Sequence, residues 1–578
     1  MFSPENQSSK NQKTNPDEQT EQKDSPELIE RFENKLEKEK SLNFIDQLFQ
    51  ELPELKMYLV GGMVRDTIIK YPTSKDYDFI AQGVPLEKLI PTLKKMGKVE
   101  YTGRNFGVLK FIPKGSTLKE AIDIALPRTE QAIGTGAYRD VTTQSDPHLK
   151  IEDDLARRDL TINAVAWELK NNQLIDPFDG QKDLKDKVIR AVGDPEQRFQ
   201  EDYSRLLRAL RFSARFGFEI EPKTWQALQS KMAHINDRQS VLQTDILKRK
   251  IELASDPEKK AKLKKQLKDQ KTKTPNKTVK EYTVPRETVA KEMLKTFKEN
   301  PAWAMELYDQ SGAFEQLLPE VITMKGCEQP EQFHAEGDVW NHTKLMLQKI
   351  RSEEFRKYFP GVHISGEFAL GVLLHDIGKP VTQKTPEKHG TERIRFDGHD
   401  QAGAKICEQI TDRLNLSNEQ KEKIQFMVQN HMFLMSAEDI SKIKANKIAK
   451  RFIDSPHSRE LLMLFYLDSA CSLRPDGSVP MDNFKQTLKR IEKIKKIREN
   501  QPKKIISGNQ IMQTLEIKGG PFIGSVITAL NELSDEGQIN STEQALSFLE
   551  KHKTKLQKLA KQTTGKNSPE IGQEILSL

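Results

Sequence analysis

Cysteine is scarce in this chain. Cys327, Cys407 and Cys471 are the only three in 578 residues, and none is paired at a metal-binding spacing. That excludes a cysteine-based zinc site and suits a reducing cytosol, so a cytoplasmic protein is expected. Long apolar runs are missing too: no stretch reaches the length that spans a bilayer, and no membrane partner is expected. The first residues are rich in Glu and Asp and lack an apolar segment, so neither a secretory signal nor a transit peptide is expected. A strong charge of one sign is also absent. Lys and Arg number 92 against 85 Asp and Glu, a net of +7, which points only weakly to a polyanionic partner. The length leaves room for several domains.

Residues 1–40 are Asn, Gln, Ser, Glu and Lys with few apolar anchors, and read as mostly disordered with at most a helical end. Leu42 to Leu52 has apolar residues at helical spacing and should pack under the first strand. A strand at 57–60, a helix at 63–70 and a strand at 77–81 follow, then strands near 107–112 and 120–126. This is an α+β pattern, a small mixed β-sheet with helices over residues 41–150. Gly134, Gly136, Arg139, Ser145 and Pro147 make residues 130–150 read as a loop over an active site.

The chemistry starts at Leu59-Val-Gly-Gly-Met-Val-Arg-Asp66 and Asp76-Tyr-Asp-Phe79. A strand that runs through Gly61-Gly62 into a helix lets backbone N–H groups approach a phosphate. Asp76 and Asp78 are two apart on a strand, so their carboxylates project from one face. Two such carboxylates repel unless a cation lies between them, and beside a triphosphate that cation is Mg²⁺. Asp123, in Ala121-Ile-Asp-Ile-Ala-Leu126, would help the metals or take a proton from an attacking hydroxyl. It reads equally well as a polar residue on an edge strand.

Glu152-Asp-Asp-Leu-Ala-Arg-Arg-Asp-Leu-Thr-Ile-Asn-Ala-Val-Ala166 has the spacing of a helix that clusters Arg158, Asp159 and Asn163. Arg can meet phosphate, and Asp and Asn can bond ribose hydroxyls. Taken alone, the helix fits a surface ion-pair group better. In Glu201-Asp-Tyr-Ser-Arg-Leu-Leu-Arg208, the spacing puts Asp202, Arg205 and Arg208 on one helix face. An Asp beside an Arg can read a base: Asp accepts from the exocyclic amine of cytosine or adenine, and Arg donates to the ring acceptors. Guanine and uracil present the opposite pattern. The plainer alternative is a surface salt bridge.

Together these four blocks, in order over residues 57–216, resemble the motifs of the class II CCA-adding enzyme and bacterial poly(A) polymerase family. The resemblance implies a DNA-polymerase-β-like head, then an all-α neck, body and tail that hold tRNA. It implies that Gly61, Gly62 and Arg65 serve the triphosphate of CTP or ATP, and that Asp76 and Asp78 hold Mg²⁺. Asp159 and Asn163 would bind ribose, with Asp202 and Arg205 choosing the base. The text Ala-Ile-Asp-Ile-Ala-Leu-Pro-Arg128 departs from the Glu and Thr-Phe-Arg that the family often carries there.

Beyond a neck over 151–247, residues 248–283 are Lys-rich and read as an insertion. A charge run of this kind fits a solvated helix better than an arm on RNA backbone. The body is expected at 284–325. Seven of the eleven histidines lie between His334 and His431. His342, His375, Asp376 and Asp468 resemble the ligand set of the HD metal-dependent phosphohydrolase domain, expected over 326–475. His399 and His431 would hold a second metal or the phosphate, and Lys379 would contact the phosphate. Such ligands suit Mg²⁺ or a divalent transition metal. His334, His363 and His389 are left as packed or exposed residues. The tail, 476–578, contains Lys518-Gly-Gly-Pro-Phe-Ile-Gly524, a turn between two helices that fits a tRNA phosphate or a plain helical hairpin.

The expected function is template-independent addition of CCA to tRNA 3′ ends, with a second phosphohydrolase activity. A poly(A) polymerase, or a CC-only or A-only enzyme, would carry the same motifs. A phosphohydrolase with an RNA-binding head is the alternative from another class.

Overall fold

The computed structural model describes residues 25–72, 76–102, 108–118, 120–132, 136–137, 141–254, 256–274, 276–432, 452–499, 506–535, 538–539, 541–562 and 568–578. The chain divides into two compact units, 1–284 and 285–578. Strands and helices in the first and helices in the second make this an α+β protein. Among the described residues, no helix is long and apolar enough to cross a membrane.

The first unit is built on β1 (Lys56–Val60), β2 (Asp78–Gln82), β3 (Gly97–Thr102), β4 (Val108–Pro113) and β5 (Ile122–Ala125). A hairpin, β6 (Arg128–Ala132) and β7 (Val141–Ser145), stands apart, and β8 (Ala166–Glu168) and β9 (Gln173–Ile175) rejoin the sheet. The sheet order is β3-β4-β5-β2-β1-β8-β9. All neighbours are antiparallel except β2 and β5. That parallel pair sets Asp78 opposite Asp123.

Alternation along the strands builds two apolar faces. Met57, Leu59, Phe79, Leu109, Phe111 and Ile124 pack with Leu48 and other helix residues on one side. Tyr58, Val60 and Ile80 meet Ile151, Leu155 and Val192 on the other. Asp78 and Asp123 have the parity of that second face.

Three local expectations are corrected. The first concerns only the extent of the helical end expected within residues 1–40, which fills most of the described part. Helix Pro26–Glu37 docks through Leu28 and Phe32, and Phe32 stacks on Trp167 at 4.3 Å between ring centroids. Burial of a side chain this size contributes about 1.5–3 kcal/mol towards docking this capped helix. The helix expected over 152–166 is only Ile151–Ala156, followed by a 3-10 turn Thr161–Asn163 and then β8. Residues 130–150 hold the β6–β7 hairpin in place of a bare loop, because Arg128 to Ala132 pairs in register with Ser145 to Val141. Gly134 and Arg139 lie outside the described residues.

The Lys-rich segment is an excursion that starts earlier than its lysines. Strands Arg238–Leu242 and Thr278–Tyr282 pair antiparallel and enclose helices Gln243–Leu253 and Pro257–Lys273, which pack on each other.

The second unit is helical. Phe297, Tyr308 and Phe314 join helices Arg286–Glu299, Pro301–Gln310 and Ala313–Leu317, with ring centroids 5.5–6.4 Å apart. Helices Val339–Lys349, Gly366–Leu374, His399–Arg413, Asn418–Asn430 and Ser458–Cys471 carry the histidine cluster. Residues 506–578 form their own core around Ile511, Val526, Leu530 and Leu549. The expected two helices of the tail are Gly508–Leu515 and Pro521–Asp535.

Candidate functional sites

In the head, β1 runs directly into Gly61, whose φ of 77° and ψ of −141° belong to glycine alone. A Cβ at Gly61 would stand 3.4 Å from Asp78 Oδ2 and 3.8 Å from Arg158 Nη1. The turn therefore lies between a carboxylate and a guanidinium, and its positive φ is what calls for glycine. Asp76 precedes β2 as an exposed residue, and Asp78 opens to solvent at the strand's first position. The Asp78 carboxyl is pushed up by the protein packed behind it and then by the charges of Asp123 and Asp76, against Arg158. A cation relieves that strain without a new side chain, so the residues fit a divalent ion. Asp123 has Lys110 as counter-charge, with Nζ to Oδ1 at 2.9 Å.

A continuous polar relay runs from Asp159 to Arg215. Arg208 Nε donates to Asp159 Oδ2 at 2.7 Å, and Asn163 Nδ2 donates to Asp159 Oδ1 at 3.0 Å. Arg65 Nη1 donates to Asn163 Oδ1 at 2.7 Å, and its Nε to Asp66 Oδ1 at 2.6 Å. Arg215 closes the line on Asp66 Oδ2 at 3.0 Å. Burial alone would raise Asp159, but the Arg208 charge and the Asn163 hydrogen bond hold it below its ordinary value. The relay ties helix Ser204–Phe216 to the turn at Asn163 and to helix Gly62–Ile68.

Arg65 was expected at the triphosphate. It is 3% exposed, lies about 5 Å from the ring centres of Phe212 and Phe216, and works as a brace. Burial lowers its pKa to about 10. Arg158 is the guanidinium that stands at the glycine turn. It is held by Asp154 Oδ2 at 3.1 Å and by the carbonyl of Asn163 at 3.2 Å.

Asp202 is not on the helix with Arg205. It lies in the link before Ser204–Phe216, where its Oδ1 accepts from Ser204 N at 2.8 Å and burial pushes the carboxyl up. Arg205 donates to Glu201 Oε2 at 2.7 Å and to the carbonyls of Arg198 and Arg157 at 3.1 Å. It lines a polar cavity of about 240 Å³ together with Glu130, Arg157, Arg198 and Glu201. Gly136 abuts Tyr203: its carbonyl accepts from Tyr203 N at 3.0 Å, and a Cβ would collide with the ring at 2.0 Å.

The second site is buried and already assembled. His375 and Asp376 follow the apolar helix Gly366–Leu374, and both are at most 2% exposed. Three histidines use one device. Nδ1 of His375, His399 and His431 lies 2.7–2.8 Å from the carbonyl three residues earlier, which turns each Nε2 inward. His375 Nε2 is buried with no hydrogen-bond partner among the described residues. The Nε2 atoms of His399 and His431 face each other at 3.0 Å, with Asp376 Oδ1 at 3.4 and 3.5 Å.

Three candidate groups result, His334–Glu336–His342, His342–His375–Asp468 and Asp376–His399–His431, each with its atoms within 4.8 Å. His375 Nε2 lies 3.1 Å from Asp376 Oδ2 and His342 Nε2 3.1 Å from Asp468 Oδ1, so inward nitrogens and carboxylates stand together in a donor set that fits a divalent ion. Among the described residues, every group of three or more close metal-ligating side chains lies in this second unit. Gly378 makes the approach feasible, since a Cβ there would strike the His399 carbonyl at 2.1 Å. Lys379 Nζ is buried at 2.6 Å from Asp376 and 2.7 Å from Gln329.

Sequence reasoning passed over Glu336. Its Oε1 lies 2.7 Å from Nδ1 of both His334 and His342, and its Oε2 accepts from Leu473 N at 2.7 Å. Despite burial, the two histidines hold its carboxyl at about 2. Burial would lower His342, yet Asp468 and Glu336 raise it to about 9. The signal was His334-Ala-Glu336 just before His342, but a Glu ahead of a helix follows no spacing rule.

Comparison with known proteins follows the same division. The family described as Poly A polymerase head domain matches residues 57–190, and the HD domain family matches 364–468. The Multifunctional CCA protein of Mannheimia succiniciproducens is 30% identical over 406 residues, covering 69% of this chain and 78% of that protein. The Bacillus stearothermophilus CCA-adding enzyme, solved in complex with CTP, shares the fold with a TM-score of 0.51 at 17% identity. It covers 91% of this chain and 99% of its own. The Thermotoga maritima CCA-adding enzyme complexed with tRNA is 20% identical over 90% of this chain and 96% of its own, with a TM-score of 0.46. The class is thus a nucleotidyltransferase head joined to an HD domain. Within it, the chain belongs to the CCA-adding enzyme family.

Proposed function

We propose that this protein adds C, C and A to tRNA 3′ ends from CTP and ATP, with its reaction centre at Asp76, Asp78 and Asp123. The observation that carries this reading is the Gly61 turn held between Asp78 and Arg158, with Asp123 in register beside Asp78. Asp76 and Asp78 would hold Mg²⁺, which when bound lowers the pKa of the attacking hydroxyl and offsets charge developing at the α-phosphate. Gly61, Gly62 and Arg158 cradle the triphosphate. The 3′-oxygen of the tRNA bonds to the α-phosphorus, pyrophosphate leaves, and Asp123 stands to accept the hydroxyl proton. Asp159 and Asn163 orient the ribose, while Asp202 and Arg205 select the base. Residues 284–325 and 476–578 serve as tRNA-holding body and tail.

The HD ligands support a second activity, hydrolysis of a phosphate monoester or a 2′,3′-cyclic phosphate. His342, His375, Asp376 and Asp468 would hold its divalent ion. His399 and His431 would hold a second ion or the phosphate, and Lys379 would face that phosphate.

The test is product length. Given tRNA lacking CCA, the protein should add three nucleotides only when CTP and ATP are both present. Long A tails from ATP alone would make it a poly(A) polymerase. Hydrolysis of cyclic phosphate with no extension would leave the HD site as its only catalyst.

A further inference from the structure

The excursion between Arg238 and Tyr282 belongs to neither site. It contains fourteen Lys or Arg and six Asp or Glu, a net of +8, so the rest of the chain sums to −1. The charge of this one element exceeds the net charge of the whole chain. Its base is fixed. Arg238 pairs opposite Tyr282, donates to its hydroxyl at 2.6 Å and lies 4.3 Å from its ring centre, and Arg249 pairs with Glu281 at 3.1 Å.

Its outer helix, Pro257–Lys273, is 17 residues long, about 25 Å, and buries no residue. Leu263 and Leu267 are half-buried on the side that meets the partner helix. Lys259, Lys262, Lys264, Lys265, Lys268 and Lys271 are exposed, and none is in an ion pair among the described residues. Lysines recur at i+3 or i+4, as in 262/265, 264/268 and 265/268, a pattern that destabilises an isolated helix. The helix thus carries self-repulsion that a polyanion along it would relieve.

We infer that this excursion is an arm that binds the phosphate backbone of the tRNA and adds affinity without touching the chemistry. The inference rests on the tRNA substrate of the proposed function; the choice of partner comes from charge complementarity, since evenly spread lysines without base-reading groups match a phosphate backbone. An arm contacting about four phosphates steepens the salt dependence of binding by about 3 in log–log slope.

The experiment uses the full chain and two variants. In one, Lys259, Lys262, Lys264, Lys265, Lys268 and Lys271 become Gln (Lys259→Gln and its five equivalents), which keeps helix propensity. In the other, residues 243–277 are replaced by Asn-Gly. Leu242 and Thr278 are directly paired, so a two-residue turn can close the strands. Binding to tRNA lacking CCA is measured from 50 to 200 mM KCl. Both variants should lose about 3 from the slope, so that wild type weakens about 60-fold more than either over this range. Turnover at saturating tRNA should be unchanged, with KM for tRNA raised at low salt.

Equal slopes and affinities in all three proteins would overturn the inference. So would retention of wild type, but neither variant, on anionic phospholipid vesicles with tRNA binding unchanged. Should no protein incorporate CTP or ATP, the proposed function fails, while the binding slopes still decide the arm.

Discussion

The head and the HD helices both gather carboxylates, but they hold them differently. In the head, Asp78 and Asp123 sit in register near the starts of two interior strands, with Lys110 and Arg158 as nearby cations and Gly61 beside them. In the HD helices, the ligands are buried, and three imidazoles are anchored by carbonyls. Backbone register sets the first site; side-chain hydrogen bonds set the second. On the proposed function, the first would be completed by what a triphosphate and its ions bring, and the second would take an ion with little rearrangement.

The comparison breaks most readily at Asp78. Asp78→Asn should lower nucleotide incorporation on the order of 10³-fold in kcat and leave divalent-ion binding by the HD helices intact. A similar fall in incorporation for His375→Ala would show that the two sites are not separate. Next in size is Glu336→Gln, which removes the charge that faces Nδ1 of His342. Mn²⁺ or Ni²⁺ affinity, measured by calorimetry, should drop about 10–100-fold, with CTP and ATP incorporation unchanged.

The smallest effect sharpens the head's side of the comparison. Arg208→Gln removes the charge that faces Asp159 at 2.7 Å. Asp159 titrates below its ordinary value in the fold, so it stabilises the head above the unfolded value of about 3.9 and loses this as pH falls further. Arg208 is a third exposed, so the loss at pH 7 should be modest, about 1–3 kcal/mol. Urea unfolding of variant and wild type should differ at pH 7 and converge progressively below about pH 4.

These sites were unequally legible. Gly61 and Asp78 could be read because a glycine turn after a strand and a two-residue alternation are local patterns. The opposition of Asp78 and Asp123 was not, because it arises from the parallel β2–β5 pairing of segments about 45 residues apart, and no local pattern encodes that register. The buried text Leu160 to Trp167 looked like more helix because a short apolar run does not separate helix from strand. Leu28, Phe32 and Leu36 did carry helical spacing, but the polar composition around them hid it. Arg65 was assigned to phosphate by motif position. Its burial against Phe212 and Phe216 depends on a helix some 150 residues later. In the HD helices, the His375-Asp376 pair was visible in the sequence, whereas Glu336 works from a segment outside any helix.

The central claim is that nucleotidyl transfer belongs to the head carboxylates and is independent of the HD ligands. The most direct measurement extends CCA-less tRNA with CTP and ATP using wild type, Asp78→Asn and His375→Ala, with product lengths read on one gel. The account predicts three added nucleotides with wild type and His375→Ala, and none with Asp78→Asn. Full-length addition by Asp78→Asn, or its loss in a folded His375→Ala, would contradict it.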